Sequence, residues 1–445
     1  MTSGLRESRP LAAVLAAMCV SLTGTRTSAV ALPWFVLVTT GSATRTGLVA
    51  FCEMAPYVAA KAFTGPLVDR SGPRVISWSA DAVSAVAAAA MPLLHAVDLL
   101  PFWLLLVLVA VIGAARGPGD LAKEVMVPEA AERGRMPLER ATGLSGMTER
   151  LAFTAGPALG GSLSALASPL TCLFVIAGCF ALGSVVTVLA LPQDMGRAAV
   201  AADGGPGYWQ RFGEGWRFLR GDPLLLTVIV MVGITNGLNA AFHSVFLPVW
   251  AKESGHGAAA VGLNSAVAGI TAVCASLIAA VVAHRMRRRM VFFAGFLLAG
   301  APRYLILAVD APMWAVVGVF ALSGFGSGFL NPILAAVCFE RIPRHLLGRV
   351  NALGDSLGWV GIPLGGLLGG AAVAAFGLLP ALLTSGAAFF LTTNLAGLRP
   401  EWRQMDQRRA EGRTGAPEGD TNRRASDDET REGSGRVGGS ETLTP

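Results

Sequence analysis

The chain has 445 residues, of which 53% are hydrophobic and only 14% charged, and its mean hydropathy is +0.57. This excludes an ordinary water-soluble globular protein and fits a chain that lives in a bilayer. The formal net charge of +6 is carried by basic residues that border apolar runs instead of forming one stripe, which argues against a nucleic-acid partner.

Twelve apolar runs follow one another: 11–38, 46–68, 75–97, 101–127, 141–167, 169–192, 223–250, 258–283, 290–309, 312–338, 347–375 and 377–398. A helix rising about 1.5 Å per residue needs about 20 residues to cross roughly 30 Å of hydrocarbon, and each run is near that length or above it. In lipid only helices or closed barrels satisfy their own backbone polar groups, so the runs are expected to be helices, numbered here as spans 1 to 12. Span 1 is too long for a removable signal peptide and too polar in its middle, with Thr23, Thr25, Arg26, Thr27 and Ser28; it is expected to stay in the mature protein.

Basic residues sort between alternate loops. Arg6 and Arg9, Arg70 and Arg74, Arg133 and Arg135, Arg211, Arg217 and Arg220, residues 285–289, and Arg341 and Arg344 fall on one side, against little more than Arg45 and Lys252 on the other. The positive-inside rule then puts both termini in the cytoplasm.

The segments between and beyond the spans divide the chain. Residues 1–10 form a cytoplasmic N-terminus, 11–192 a first six-helix bundle, 193–222 a cytoplasmic linker and 223–398 a second six-helix bundle. In the linker, Tyr208, Phe212, Trp216 and Leu219 share one helical face while Arg211, Glu214 and Arg217 lie elsewhere, the pattern of an interfacial amphipathic helix or of an ordinary loop helix. Residues 399–445 are polar and of mixed charge and are expected to be a disordered cytoplasmic tail. Cys19, Cys52, Cys172, Cys179, Cys274 and Cys338 all sit in apolar runs without metal-ligand spacing and read as small apolar residues; no metal and no cofactor is expected.

The two sets of six look like a diverged duplication. Leu138-Glu-Arg-Ala-Thr-Gly-Leu144 recurs as Leu347-Gly-Arg-Val-Asn-Ala-Leu353, and each introduces a span with a glycine pair, Gly160-Gly161 and Gly365-Gly366. Asp69-Arg70 and Arg74 align with His284-Arg285 and Arg289. Six plus six repeats point to a transporter fold.

The stretch Gly65-Pro-Leu-Val-Asp-Arg-Ser-Gly-Pro-Arg74 resembles the loop between spans 2 and 3 of the major facilitator superfamily, usually written G-x-L-a-D-R-x-G-r-k, with Pro73 departing from the pattern. The resemblance implies an all-α integral membrane protein of twelve transmembrane helices in two pseudo-symmetric six-helix bundles. It also implies that Gly65, Asp69, Arg70, Gly72 and Arg74 form a conformational latch. In span 5, Gly143, Gly156-Pro157 and Gly160-Gly161 resemble the superfamily's antiporter motif, with Ala152 in place of one glycine. Small residues at such spacing let helices approach closely, and the proline removes one backbone hydrogen bond. With Arg140 and Ala31-Leu-Pro-Trp34 the pattern is similar to the macrolide-efflux-like branch of drug and proton antiporters.

Ionisable groups at membrane depth are costly and invite a functional reading. In the superfamily spans 1, 4, 7 and 10 line the central path. In span 4, Arg116, Asp120, Lys123 and Glu124 share one side of the helix. Arg26 and Glu53 come to comparable depths, about 22 and 18 Å from the cytoplasmic ends by helical rise, and are expected to be able to pair. Glu149 and Arg150 reach the depth of Asp120 and Lys123. Glu53, Asp120, Glu124 and Glu149 are the proton-coupling candidates, with Arg26, Arg116, Lys123 and Arg150 as charge partners; a static salt-bridge network is the alternative. Asp81 is expected to brace the latch, and Asp355 to pair with Arg341 or Arg349.

In the second half Asn236, Asn239 and His243 share one face of span 7, as do Ser323, Ser327 and Asn331 in span 10. They suggest a neutral hydrogen-bonding cavity wall, with Trp34, Phe242 and Phe246 offering apolar ligand surface, or simply helix packing by polar residues. No phosphate-binding loop, paired-cysteine motif or nucleophile elbow is present in the sequence, so no enzyme is expected. The expected function is export of small amphiphilic or hydrophobic compounds, drugs or secondary metabolites, by proton antiport and alternating access, from a monomer in the cell membrane. A metabolite importer or uniporter, or a non-transporting receptor on the same fold, are the alternatives.

Overall fold

Helix after helix, with short breaks at glycine, proline and serine, runs through the computed structural model, which describes residues 9–64, 71–193, 195, 208–282, 288–309, 311–342 and 347–398. In the first half the spans are Arg9–Thr40, Ala43–Phe63, Pro73–Ala96, Phe102–Arg133, Leu138–Leu166 and Pro169–Ala190. A linker helix, Tyr208–Gly221, leads to span 7, which is Pro223–Ala241, a π-helical turn Phe242–Phe246 and Leu247–Glu253. Span 8 is Gly257–Val282, span 9 Arg288–Ala299 with Ala301–Ala308, span 10 Met313–Gly328 with Leu330–Arg341, span 11 Leu347–Phe376 and span 12 Leu378–Leu398.

Ten of these helices are long and apolar enough to cross a membrane. The two that fall short on composition are spans 2 and 5, which carry Arg45, Glu53 and Lys61, and Glu139, Arg140, Glu149 and Arg150. Large apolar side chains such as Val86, Leu166, Leu189 and Trp314 are exposed on the bundle surface, the face a bilayer covers.

The helix ends follow from local chemistry. Ser42 accepts from the Arg45 N–H, Ser168 from the Thr171 N–H and Asp222 from the N–H groups of Leu224 and Leu225, each supplying a free amide of a first turn with an acceptor. Gly72, at φ +80°, takes a backbone conformation that favours glycine, and Pro73 then opens span 3. Proline suits that place because its missing N–H would have no helical acceptor there. The departure of Pro73 from the family pattern is thereby absorbed as a helix start. In span 7 the Leu247 N–H reaches back to the Phe242 carbonyl just before Pro248, whose ring removes the next donor. Span 9 breaks at Gly300, where the Phe389 ring packs so closely on the backbone that a Cβ would collide with it.

The duplicated glycine pairs occupy equivalent places. Gly160 packs on Thr27 of span 1 and Gly161 on Gly262 of span 8; Gly365 packs on Gly237 of span 7 and Gly366 on Ala50 of span 2. In each half the first glycine meets that half's own first span, and the second meets the second span of the other half. Gly47 and Gly370 add to the contact between spans 2 and 11. These contacts between halves, with the bond from Lys252 Nζ to the Leu37 carbonyl at 2.9 Å, lie toward the end of the bundle opposite the start of span 1.

Candidate functional site

Span 4 brings its charges into the first bundle at helical spacing. Arg116, Asp120 and Lys123 are buried, at 3%, 8% and 2% exposure, so their partners decide what they do. Arg116 Nη2 donates to both Asp120 oxygens, at 2.8 and 3.1 Å, and Nη1 donates to the Ser21 carbonyl at 3.3 Å. Lys123 Nζ donates to Asp81 Oδ1 at 2.9 Å while the Ser21 hydroxyl donates to Asp81 Oδ2 at 2.9 Å. Tyr57 OH donates to Asp120 Oδ2 at 3.3 Å. Lys61 pairs with the more exposed Glu124 at 3.3 Å and sits over Trp359 of the other half, a ring that also stacks on Tyr57.

Glu53 differs from all of these. It is 5% exposed, and no described cation forms an ion pair with it. Its contact is the Ser28 hydroxyl, 3.2 Å from Oε1, and that same hydroxyl is 2.8 Å from the Thr25 carbonyl. One hydroxyl proton therefore faces two acceptors.

The expected Arg26–Glu53 pair is not formed, because the Arg26 guanidinium lies over the Phe153 ring at 4.4 Å. Nor do Glu149 and Arg150 form ion pairs with Asp120 and Lys123, which are already matched to Arg116 and Asp81; Glu149 is exposed. Asp81 pairs with Lys123 within the bundle, and Asp69 and Arg70 of the latch it was expected to brace lie outside the described residues. Arg341 binds Asp222, Nε to Oδ2 at 2.8 Å, tying the end of span 10 to the linker, while Asp355 is exposed; the side chain of Arg349 lies outside the described residues.

Of the latch residues, Gly65, Asp69 and Arg70 lie outside the described residues. Arg74 is described: its Nε donates to the Leu191 carbonyl at 3.1 Å and its Nη2 to the Val188 carbonyl at 2.7 Å, so its charge caps the end of span 6. In span 5, Gly156, Gly160 and Gly161 make close helix contacts, Thr27 Oγ1 donates to the Gly156 carbonyl at 3.2 Å, and Gly143 faces open space. In the linker helix Leu219 is buried and Trp216 exposed; the side chains of Tyr208, Arg211 and Phe212 lie outside the described residues.

The second half has a different centre. Asn236 donates to the Gly358 carbonyl of span 11 at 3.0 Å, Ser323 to the Ala299 carbonyl of span 9 at 2.8 Å and Ser327 to the Gly324 carbonyl of its own helix. These three hydroxyl and amide groups serve packing, and Trp34, Phe242 and Phe246 are buried in it; Asn331 is exposed. Asn239 and His243 converge instead on Arg303 of span 9. Its Nη2 donates to Asn239 Oδ1, and its Nη1 is 3.4 Å from His243 Nε2. The rings of Phe242, Tyr304 and Phe389 surround its guanidinium at 4.5, 5.3 and 5.8 Å. Sequence reasoning passed over Arg303, although a lone arginine inside the apolar run 290–309 was signal enough. It also missed Tyr57, Ser21 and Ser28, whose importance rests on contacts between spans.

Known proteins resemble this chain in sequence and in shape. It is 30% identical over 404 residues to the protein named multidrug efflux pump Tap in Mycobacterium tuberculosis and Mycobacterium bovis, covering 89% of this chain and 95% of those. It is 29% identical over 401 residues to the Tap of Mycolicibacterium fortuitum, covering 89% and 97%. Its fold matches the crystal structure of the nucleoside transporter NupG with a TM-score of 0.71 at 13% identity, covering 87% of this chain and 98% of that one. It also matches a bacterial homologue of the human lysosomal transporter Spinster, with a TM-score of 0.66 at 14% identity, covering 90% and 97%. Residues 14–258 and 230–417 match the family described as Major Facilitator Superfamily, and the chain belongs to that superfamily of transporters.

Proposed function

We propose that this protein exports small amphiphilic or hydrophobic compounds, drugs or secondary metabolites, in exchange for protons. The reading places it in the cell membrane as a monomer with both termini in the cytoplasm, residues 11–192 and 223–398 rocking about a midplane site by alternating access. Multidrug efflux pumps related to it over nearly nine-tenths of its length support the class of cargo.

Glu53 carries the proposal for the proton. Asp81 and Asp120 each form an ion pair, with Lys123 and Arg116, whereas Glu53 is buried and forms no ion pair with a described cation. A proton on Glu53 gives the Ser28–Glu53 contact its own donor and leaves the Ser28 hydroxyl free for Thr25, resolving the shortage of protons between them. Asp120, Glu124 and Glu149 then belong to the fixed charge around the path. Gly65, Asp69, Arg70, Gly72 and Arg74 act as the latch, and Gly161 of span 5 keeps the two halves close at Gly262.

The test is accumulation of fluorescent amphiphilic dyes in pump-deficient cells expressing the protein, with and without a protonophore. Lowered accumulation that the protonophore abolishes is the expected result. Unchanged accumulation of every dye, with the protein confirmed in the membrane, refutes broad export.

A further inference from the structure

The second bundle encloses a positive charge that no described carboxylate answers. Arg303 is 8% exposed and forms no ion pair, and its neighbours are an amide, an imidazole and three aromatic rings. Its Nε is buried with no hydrogen-bond partner. Enclosing a cation in this way is costly unless an anion compensates it, and arginine's planar fork matches a carboxylate in shape and charge.

His243 is the exposed member of this cluster. Its side chain is exposed although it stands in the middle of span 7, on the π-helical turn that also meets spans 1, 2 and 11. The π-turn, a distortion often found at functional sites, sets His243 and Asn239 against the same guanidinium. With Nε2 accepting from Arg303, the His243 Nδ1–H remains a donor on an exposed side chain next to the buried guanidinium.

We propose that Arg303 and His243 form a subsite for the carboxylate of an amphiphilic solute, so that the cargo includes amphiphilic monocarboxylates. The proposal deepens the export reading, but binding to purified protein without a gradient depends neither on direction nor on proton coupling.

The experiment uses the full chain in phosphatidylcholine nanodiscs, titrated with 1-pyrenebutyrate and with its methyl ester, against empty discs as the blank. Wild-type protein is expected to bind the carboxylate at least tenfold more tightly than the ester. Arg303→Gln is expected to abolish the preference while keeping ester binding, and Arg303→Lys to keep part of it. Equal affinity for the two probes, binding of neither, or an undiminished preference in Arg303→Gln overturns the proposal. The wild-type comparison decides the matter even where a variant does not fold, and His243→Gln, expected to weaken the preference, gives a second variant. Adding phosphatidylglycerol to the discs tests the lipid alternative: competition at equal charge would assign the site to a headgroup and overturn the solute proposal. A clear carboxylate preference without dye export in cells would refute export and leave the subsite standing.

Discussion

Glu53→Gln and Asp81→Asn remove one carboxylate each from the same bundle, and the structure requires them to fail differently. In Asp81→Asn the Lys123 ammonium, 2% exposed, loses its counter-ion. Breaking a buried pair by removing one partner costs about 3–5 kcal/mol, roughly two to four powers of ten in the folded population. In Glu53→Gln no ion pair is broken, and the new amide N–H supplies the donor that a proton on Glu53 would supply to Ser28. Its cost is expected to stay within about 1 kcal/mol. Thermal unfolding in detergent, read by reactivity of the buried Cys172 and the partly buried Cys19 and Cys52, should therefore show a large downward shift for Asp81→Asn and a small one for Glu53→Gln. In proteoliposomes Glu53→Gln should lose uptake driven by an imposed pH gradient while keeping substrate exchange at equal concentrations, since exchange needs no proton to be released. Gradient-driven uptake at the wild-type rate in Glu53→Gln would refute Glu53 as the carrier, and a stable Asp81→Asn would refute the reasoning about the pair.

Three further outcomes follow from single contacts. Gly161→Val is expected to abolish transport while leaving helix content by circular dichroism unchanged, because its side chain would meet the backbone of span 8 at Gly262. Arg74→Ala leaves the Leu191 and Val188 carbonyls without their charged donor and should cost about 1–3 kcal/mol in thermal stability, with Arg74→Lys intermediate. Asn264 is fully buried and neither its oxygen nor its nitrogen has a partner, so Asn264→Leu is expected to raise the unfolding temperature; a fall would mean that the amide is bonded in another conformation of the transporter.

The spans were legible because bilayer crossing imposes a length and a composition that one sequence displays without help. Span 4 shows the next level: helical spacing put Arg116, Asp120, Lys123 and Glu124 on one side, and the first three are buried together while Glu124 is exposed. Their partners were not legible, since Asp81 and Ser21 come from other spans and depth along an axis does not fix rotation about it. Arg26 and Glu53 illustrate that limit. They reach similar depths, yet the Arg26 guanidinium lies on Phe153 and Glu53 meets Ser28. Arg303 stands in span 9, outside the spans expected to line the path, and its setting depends on the π-turn of span 7, which no residue pattern announces beyond Pro248.

Spans 2 and 5 carry the same logic into mechanism. They are the helices too polar to read as membrane-crossing, and both pack extensively on the opposite half, span 2 on span 11 and span 5 on span 8. A helix that faces protein over much of its length need not be as apolar as one that faces lipid, so their charges and hydroxyls are tolerated. Toward the end of the bundle opposite the start of span 1 their contacts are glycine against glycine or alanine, Gly47 with Gly370, Gly161 with Gly262 and Gly366 with Ala50. Such contacts exclude the space between backbones yet interlock few side chains, so separating them exposes little apolar surface, at about 25 cal/mol per Å². A seam of interdigitated leucines would hold the same end shut far more firmly. The repeated glycine pairs thus suit an interface that must close tightly and still open on every cycle, with the Lys252 bond to Leu37 as one polar contact to be broken when it does.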